Sequence, residues 1–485
     1  VGADELGTPA SNLIDGNWVS AISGRTFQVC NPADDTVISD VPACGEEDVR
    51  VAVDAADRAF ASWSDQPAEA RCQLLTRLAD AIADNQDFLA SLITREAGKT
   101  LSEARGEAAI SAGFIRWAAE EGKRVYGDIV PASTADKRLL VLRQPIGVVA
   151  AITPWNFPIA LVARKLGPCL ATGCTMVLKP AEQAPLSALA LGELAMRVGI
   201  PHGVLNIVTG PPEEIGATLM AHPAVRKLSF TGSTAVGKQL VQASSANLTR
   251  LSLELGGNAP FIVFRDADVD LAVSAAVGAK FRNAGQTCVA ANRFLVHEDI
   301  YDAFLERFRA LVDDLVVGPG TEPGATVGPL IDDETVEKVR THVEDARRKG
   351  ATVRTGGFLL PRRPGLADRF YAPTILENWT DSMLLSREET FGPVAPLRSF
   401  AENAEAISIA NDSPHGLAAY IISRDASLIF RSIESLNYGI IGINDSTTAA
   451  PQAPLGGMNL SGFGREGGKY VMDDYTEIKY ASWRL

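Results

Sequence analysis

Between Gly147 and Leu255, five short apolar runs alternate with stretches of helical pattern: VVAAI (148–152), TMVLK (175–179), VLNIV (204–208), KLSF (227–230) and LSLEL (251–255). Such short runs read as strands buried on both faces. With helices between them they form βαβ units, a parallel sheet covered on both sides. An α/β sheet of this kind binds ligands at the carboxyl ends of its strands. A second alternating region follows from about Asn258 to Gly457, with FIVF (261–264), RFLVH (293–297) and GINDS (442–446) as candidate strands and 300–315 as a helix. It reads as a second α/β domain.

The flanks differ in texture. From Glu46 to about Glu121 the chain is rich in Ala, Leu and charge at helical spacing; Leu74, Leu78 and Ile82 share a stripe that Phe88, Leu89, Leu92 and Ile93 continue towards Gly98, a helix stop. Residues 137–145, KRLLVLRQP, read as a strand, and the tail DDYTEIKYASWRL is β-like, a candidate to pair with another segment or subunit. With 485 residues, two or three domains are expected, and 46% apolar residues without a membrane-length apolar run imply a soluble chain. The start, VGADELGTPASNLIDGNWV, lacks the pattern of a secretory leader, so the cytoplasm is expected. A net charge of -14 argues against nucleic acid or anionic membrane as partner. Six scattered cysteines and five unclustered histidines suggest neither a disulfide framework nor a metal site.

Several short motifs invite a chemical reading. SFTGSTAVGKQ follows a strand and opens a helix, nearly matching a nucleotide-binding P-loop, but Gln239 stands where Ser or Thr would hold magnesium. Backbone N–H groups at the helix start there can cradle a phosphate without metal; a structural glycine turn is the alternative. LKPAEQ sets Lys179 and Glu182 at a strand end, suited to a ribose or simply to a surface pair. In PWNFP, prolines hold Asn156, whose amide suits a developing oxyanion or a plain turn. LELGGNAP ends a strand with Glu254, either a general base or a solvent-facing carboxylate, and its two glycines permit close backbone approach. FRNAGQTCVAANR (281–293) holds one cysteine, Cys288, and a lone cysteine is more often a small buried hydrophobe than a nucleophile.

Together, PWNFP, LKPAE, FTGSTAVGK, LELGGNAP, GQTC and EETFGP (388–393) closely resemble the NAD(P)-dependent aldehyde dehydrogenase superfamily over nearly the whole chain. The resemblance implies a Rossmann-like NAD domain (1–122 and 146–256), an α/β catalytic domain (257–466) and a small β oligomerisation element (123–145 and 467–485), in a homodimer or homotetramer. It implies that Cys288 attacks the aldehyde to give a thiohemiacetal, with Asn156 and the Cys288 N–H stabilising the oxyanion. Glu254 then activates water to hydrolyse the thioester, which argues against the CoA-acylating branch, and Lys165 also matches a catalytic position. For the cofactor, Thr153, Trp155, Lys179, Glu182, Gly232, Ser233, Glu389 and Phe391 match binding positions. A carboxylate at Glu182 accepts hydrogen bonds from a ribose hydroxyl and repels a 2′-phosphate, so NAD is expected over NADP.

Within the superfamily, ARKLGPCLATG (163–173) and FRNAGQTC are similar to succinate-semialdehyde dehydrogenases. Arg164 and Arg282 carry that similarity: two guanidinium groups form a fork for an anionic tail, unless both sit in structural ion pairs. Two positions depart from the subgroup. Many of its members read TCVC, whose second cysteine forms a regulatory disulfide; here position 290 is Ala. Where those enzymes give a serine to the carboxylate, this chain has Ala449, with Ser446, Thr447 and Thr448 nearby as substitutes. Glutarate semialdehyde and phosphono- or sulfo-aldehydes therefore stay open beside succinate semialdehyde. Two other readings are a catalytically silent protein on this scaffold, and a cysteine hydrolase, which would need a histidine such as His297 near Cys288.

Overall fold

A computed structural model describes residues 10–485; residues 1–9 of the start, on which the leader expectation partly rests, lie outside them. The first sheet has eight strands, and its central five are parallel: Leu205–Ile207, Thr175–Lys179, Val148–Ile152, Val225–Thr231 and Arg250–Glu254, in that spatial order. Val148–Ile152 comes first in the chain. Strand order then runs outward to one side before it returns to the other, so the switch point lies between Val148–Ile152 and Val225–Thr231. That is where an open α/β sheet leaves a crevice for a ligand.

The second sheet has seven strands, with Ala259–Val263 beside Ala291–His297 on one side and Ala418–Ile422 on the other, all parallel. The mixed architecture is the α/β fold expected of the resemblance. A three-stranded sheet joins Asp128–Val130, Lys137–Pro145 and the tail strand Thr476–Arg484, paired antiparallel along Lys137–Pro145. The tail thus pairs within its own chain, and its Tyr480 and Trp483 stay exposed. Among the described residues, no helix is long and apolar enough to cross a membrane.

The helical section forms as its spacing predicts, with one shift. In the helix Ala68–Asp84 the buried stripe is Leu75, Leu78 and Ile82, while Leu74 stays partly exposed. Gly98, at φ 79°, ends the helix Gln86–Ala97. A capping box opens the next helix, Leu101–Gly122: Thr100 N donates to Glu103 Oε2 (3.0 Å) and Glu103 N returns to Thr100 Oγ1 (3.4 Å). The GINDS strand also shifts, to Ile440–Ile443. Asn444 takes φ 53°, and its Oδ1 accepts from Ser423 N (3.1 Å), which turns the chain out of the sheet.

Candidate active site

Four expected site residues line up along the carboxyl ends of the first sheet. Lys179 and Glu254 close their strands, and Thr153 and Gly232 follow directly on theirs, so the spatial order is Lys179, Thr153, Gly232, Glu254. Beyond Gly232, Ser233 caps the helix Thr234–Ser244, accepting from Val236 N (3.3 Å). Gly237 of the P-loop-like motif has a packing role instead, since a Cβ there would lie 2.6 Å from Leu255 Cδ2. Lys238 is exposed on that helix.

Cys288 stands in the joint between the two sheets. The chain reaches it through a tight turn in which Asn283 (φ 52°), Ala284 (φ 54°) and Gly285 (φ 73°) are all left-handed. Gln286 clamps this turn: its Oε1 accepts from Ile331 N (2.9 Å), and its Nε2 donates to Asn283 O (3.1 Å). Gly257 lets the backbone pass, because a Cβ there would lie 2.6 Å from Cys288 O. The partly buried thiol faces Glu254 Oε1 at 3.8 Å. Burial, and then the Glu254 carboxylate, push its pKa upward, so the thiol needs a base to ionise.

Asn156 is buried beside it. Its Nδ2 donates one hydrogen to Gln286 O (3.1 Å), leaving the other for an oxyanion. The Asn156 carbonyl accepts from Lys99 Nζ (2.6 Å), which is ion-paired with Glu107 (2.6 Å). Glu107 Oε1 in turn accepts from Ile159 N (3.0 Å) and Ala160 N (3.2 Å), so this buried pair fixes the PWNFP turn to the helix Ala160–Thr172.

Glu254 Oε2 accepts from Arg164 Nη2 (2.7 Å). Arg164 Nε also lies 2.9 Å from Glu466 Oε2, without hydrogen-bond geometry. Lys165 Nζ binds Glu466 and donates to Thr231 Oγ1 (2.8 Å). Burial raises the Glu254 carboxyl and Arg164 opposes it; at Glu466 burial is overcome by Lys165 and Arg164, which hold the carboxyl down at about 2. Lys165, expected among the catalytic groups, lines neither cavity at Cys288 and instead ties Glu466 to Thr231.

Two cavities meet at Cys288 and Glu254. The first, of about 340 Å³, is lined by Trp155, Asn156, Gly232, Ser233, Glu389 and Phe391, with Asp332, Thr335 and Lys338 across from them. Trp155 and Phe391 pack edge to face at 5.6 Å. Glu389 Oε1 is enclosed without a partner, and burial, ahead of the opposing Lys338, raises that carboxyl to about 7. Thr153, Lys179 and Glu182 lie outside its walls, where Lys179 Nζ binds Glu182 Oε1. The second cavity, of about 300 Å³, is lined by Phe114, Phe157, Arg164, Arg282, Thr447, Thr448, Ala449 and Leu455. Arg282 sits 5.9 Å from the Phe157 ring centre, its buried Nε unpartnered, so among the described residues the two arginines differ: Arg164 is ion-paired and Arg282 is not. Ser446 turns away, its Oγ close to Gly278, and only the two threonines remain near Ala449.

The structure brings into the site residues that local sequence did not single out. Glu466, in a glycine-rich stretch, reaches Lys165 across 301 residues, and Lys99 and Glu107 look like ordinary helix-surface charges. Their only signal would be long-range pairing. His297 caps the helix Glu298–Asp313, and no histidine lines either cavity among the described residues, so the cysteine-hydrolase reading lacks its base.

Comparison with known proteins gives one answer. The model described as the aldehyde dehydrogenase family matches residues 18–481. The NADP(+) succinate-semialdehyde dehydrogenase of Escherichia coli (strain K12) is 52% identical over 468 residues, covering 96% of each chain. A glutarate-semialdehyde dehydrogenase of Pseudomonas putida is 52% identical over 467 residues, again 96% of each. The crystal structure of succinate-semialdehyde dehydrogenase from Burkholderia pseudomallei superposes with a TM-score of 0.96 at 50% identity, covering 98% of each chain.

Proposed function

Since the chain belongs to the aldehyde dehydrogenase family, we propose that it oxidises an aldehyde with an anionic tail, with succinate semialdehyde the first choice, to the free acid. One observation carries the reading. Cys288 and Glu254 are walls of both cavities, one with the orphaned Glu389 oxygen and the helix start at Ser233, the other with the unpaired Arg282.

The first cavity fits NAD(P). Glu389 Oε1 suits a ribose hydroxyl, and the N–H groups after Ser233 suit a pyrophosphate. Trp155 and Phe391 flank the cavity, while Thr153, Lys179 and Glu182 line the way to the adenosine end. Bound there, NAD(P) would supply the hydride acceptor that turns the thiohemiacetal into a thioester.

The chain's own residues do the rest. Glu254 Oε1 takes the Cys288 proton across the 3.8 Å contact as sulfur bonds the aldehyde carbon. Asn156 Nδ2 and the Cys288 N–H stabilise the resulting alkoxide, an interaction type worth about a hundredfold or more in rate. Glu254 releases the thiol proton to solvent; at the thioester, water then adds to the carbonyl carbon, Glu254 accepts its proton, and the C–S bond breaks. The proton held by Glu254 returns to sulfur, and the product leaves as a carboxylate.

We further read Glu182 as selecting NAD, because its carboxylate neutralises Lys179 and opposes a 2′-phosphate. The exposed aromatics of the tail strand favour a homodimer or homotetramer. The test is NADH and NADPH formation against semialdehydes of succinate and glutarate and against phosphono- and sulfo-aldehydes, with propanal and benzaldehyde as uncharged controls. Equal or better turnover of the controls would overturn the anionic tail, and equal use of both cofactors would overturn the NAD preference.

A further inference from the structure

Arg164 serves two masters. Its guanidinium lines the tail cavity, yet Nη2 holds Glu254 Oε2 at 2.7 Å, and Glu254 is the group that must work as base. We propose that Arg164 is a positioning residue that couples tail recognition to catalysis: an anion bound at Arg164 and Arg282 loosens Arg164's hold on Glu254 and so frees the base for thioester hydrolysis. This rests on the anionic-tail reading above.

The competition has a predictable loser. A bound tail would be the third carboxylate around one guanidinium, after Glu254 and Glu466. Glu466 is kept by Lys165 independently of Arg164. Among the described residues, Glu254 Oε2 has Arg164 and a long 3.5 Å contact from Thr231 Oγ1, while Oε1 has the Cys288 thiol at 3.8 Å. Arg164 Nη1 makes no hydrogen bond, and Arg282 Nε is buried without a partner, so donors for the incoming anion are already in place. Once its cation is shared, the Glu254 carboxylate is a stronger base, because a nearby positive charge favours the ionised form.

The affected step is the hydrolysis. Water oxygen bonds the thioester carbon, Glu254 accepts the water proton, the C–S bond breaks, and sulfur recovers the proton from Glu254 while the acid's own proton passes to solvent. An uncharged aldehyde leaves Glu254 tethered at Oε2 with Oε1 still facing the Cys288 thiol, so acylation proceeds and the acyl-enzyme accumulates. Discrimination then falls on turnover as well as on binding.

Coupling of this kind is reciprocal. Acetate serves as a detached tail, titrated into the NAD-saturated enzyme by calorimetry, and propanal as the uncharged aldehyde, followed by acid-quench assay of the acyl-enzyme. Removing the Glu254 charge in Glu254→Gln should tighten acetate about tenfold, a gain within the usual range of coupling between sites, and the gain should vanish in the Arg164→Met, Glu254→Gln double variant. In the native enzyme, acetate should speed loss of the propanoyl-enzyme several-fold, and Arg164→Met should show fast loss without acetate. Equal acetate affinity in native and Glu254→Gln enzyme overturns the coupling alone. Failure of acetate to bind either one overturns both the coupling and the tail pocket it rests on.

Discussion

The two cavities that meet at Cys288 are built differently. The cofactor-side cavity is built mostly from the loops that leave the strand ends of the first sheet, with the start of the helix Thr234–Ser244, one face of the helix Asp333–Arg348 and the loop holding Glu389 and Phe391. The tail-side cavity is assembled from faces of the helices Leu101–Gly122 and Ala160–Thr172, the left-handed turn at Arg282, and the irregular stretch 447–455. Parallel strands leave little freedom in where their carboxyl ends point, so the first cavity is set by the fold. The second is set by the particular side chains that its helix faces and its irregular stretch present. On the proposed function, chemistry belongs to the shared wall, cofactor choice to one side and substrate choice to the other.

Substitutions can separate these three. The largest effect belongs to the shared wall: Cys288→Ala should lower NADH formation at least about a thousandfold with every aldehyde, as loss of a nucleophile does, while calorimetric cofactor affinity holds. Retained turnover would break the assignment of the nucleophile. Next, Arg282→Ala should raise the KM for succinate semialdehyde about tenfold to a hundredfold, the scale of one lost charge-assisted hydrogen bond, and leave the KM for NAD unchanged. If both constants move together, the cavities are not independent.

A smaller effect lies on the cofactor side. Glu182→Gln should shift the NADP-to-NAD ratio of kcat/KM about tenfold towards NADP, since it removes one nearby charge and frees Lys179, without altering which aldehydes are used. The smallest concerns stability. Lys280 is buried under the site with Nζ on Asn292 Oδ1 (3.0 Å), and burial, opposed by Glu389, lowers its pKa to about 7. The unfolded chain takes up this proton as pH falls from its ordinary 10.5, and the folded one only near 7. The native state therefore loses stability as pH drops across that window. In Lys280→Met the melting temperature should change less between pH 7 and 10 than in the native chain; an unaltered pH dependence would place the charge of Lys280 in both states.

The residues legible in advance were those whose local chemistry is strong. The runs VVAAI (148–152) and TMVLK (175–179) became strands because a short run with an apolar centre has few other ways to be buried. The GINDS strand moved because Asn444 turns the chain by a bond to Ser423, across 21 residues. Arg164 and Arg282 look equivalent in sequence. Their difference appears only when Glu254 and Glu466, 90 and 301 residues from Arg164 and Lys165, arrive beside them.

Sequence by itself determined the α/β architecture, the family resemblance, and the presence of a thiol, an amide and a carboxylate fit for aldehyde oxidation. Those follow from local periodicity and from short motifs whose chemistry is their own. Tertiary structure alone decided which charges are already paired: Arg164 with Glu254, Lys165 with Glu466, Lys99 with Glu107, and Arg282 with none among the described residues. An ion pair acts over a few ångströms of space whatever the separation along the chain, so no spacing in the sequence records it.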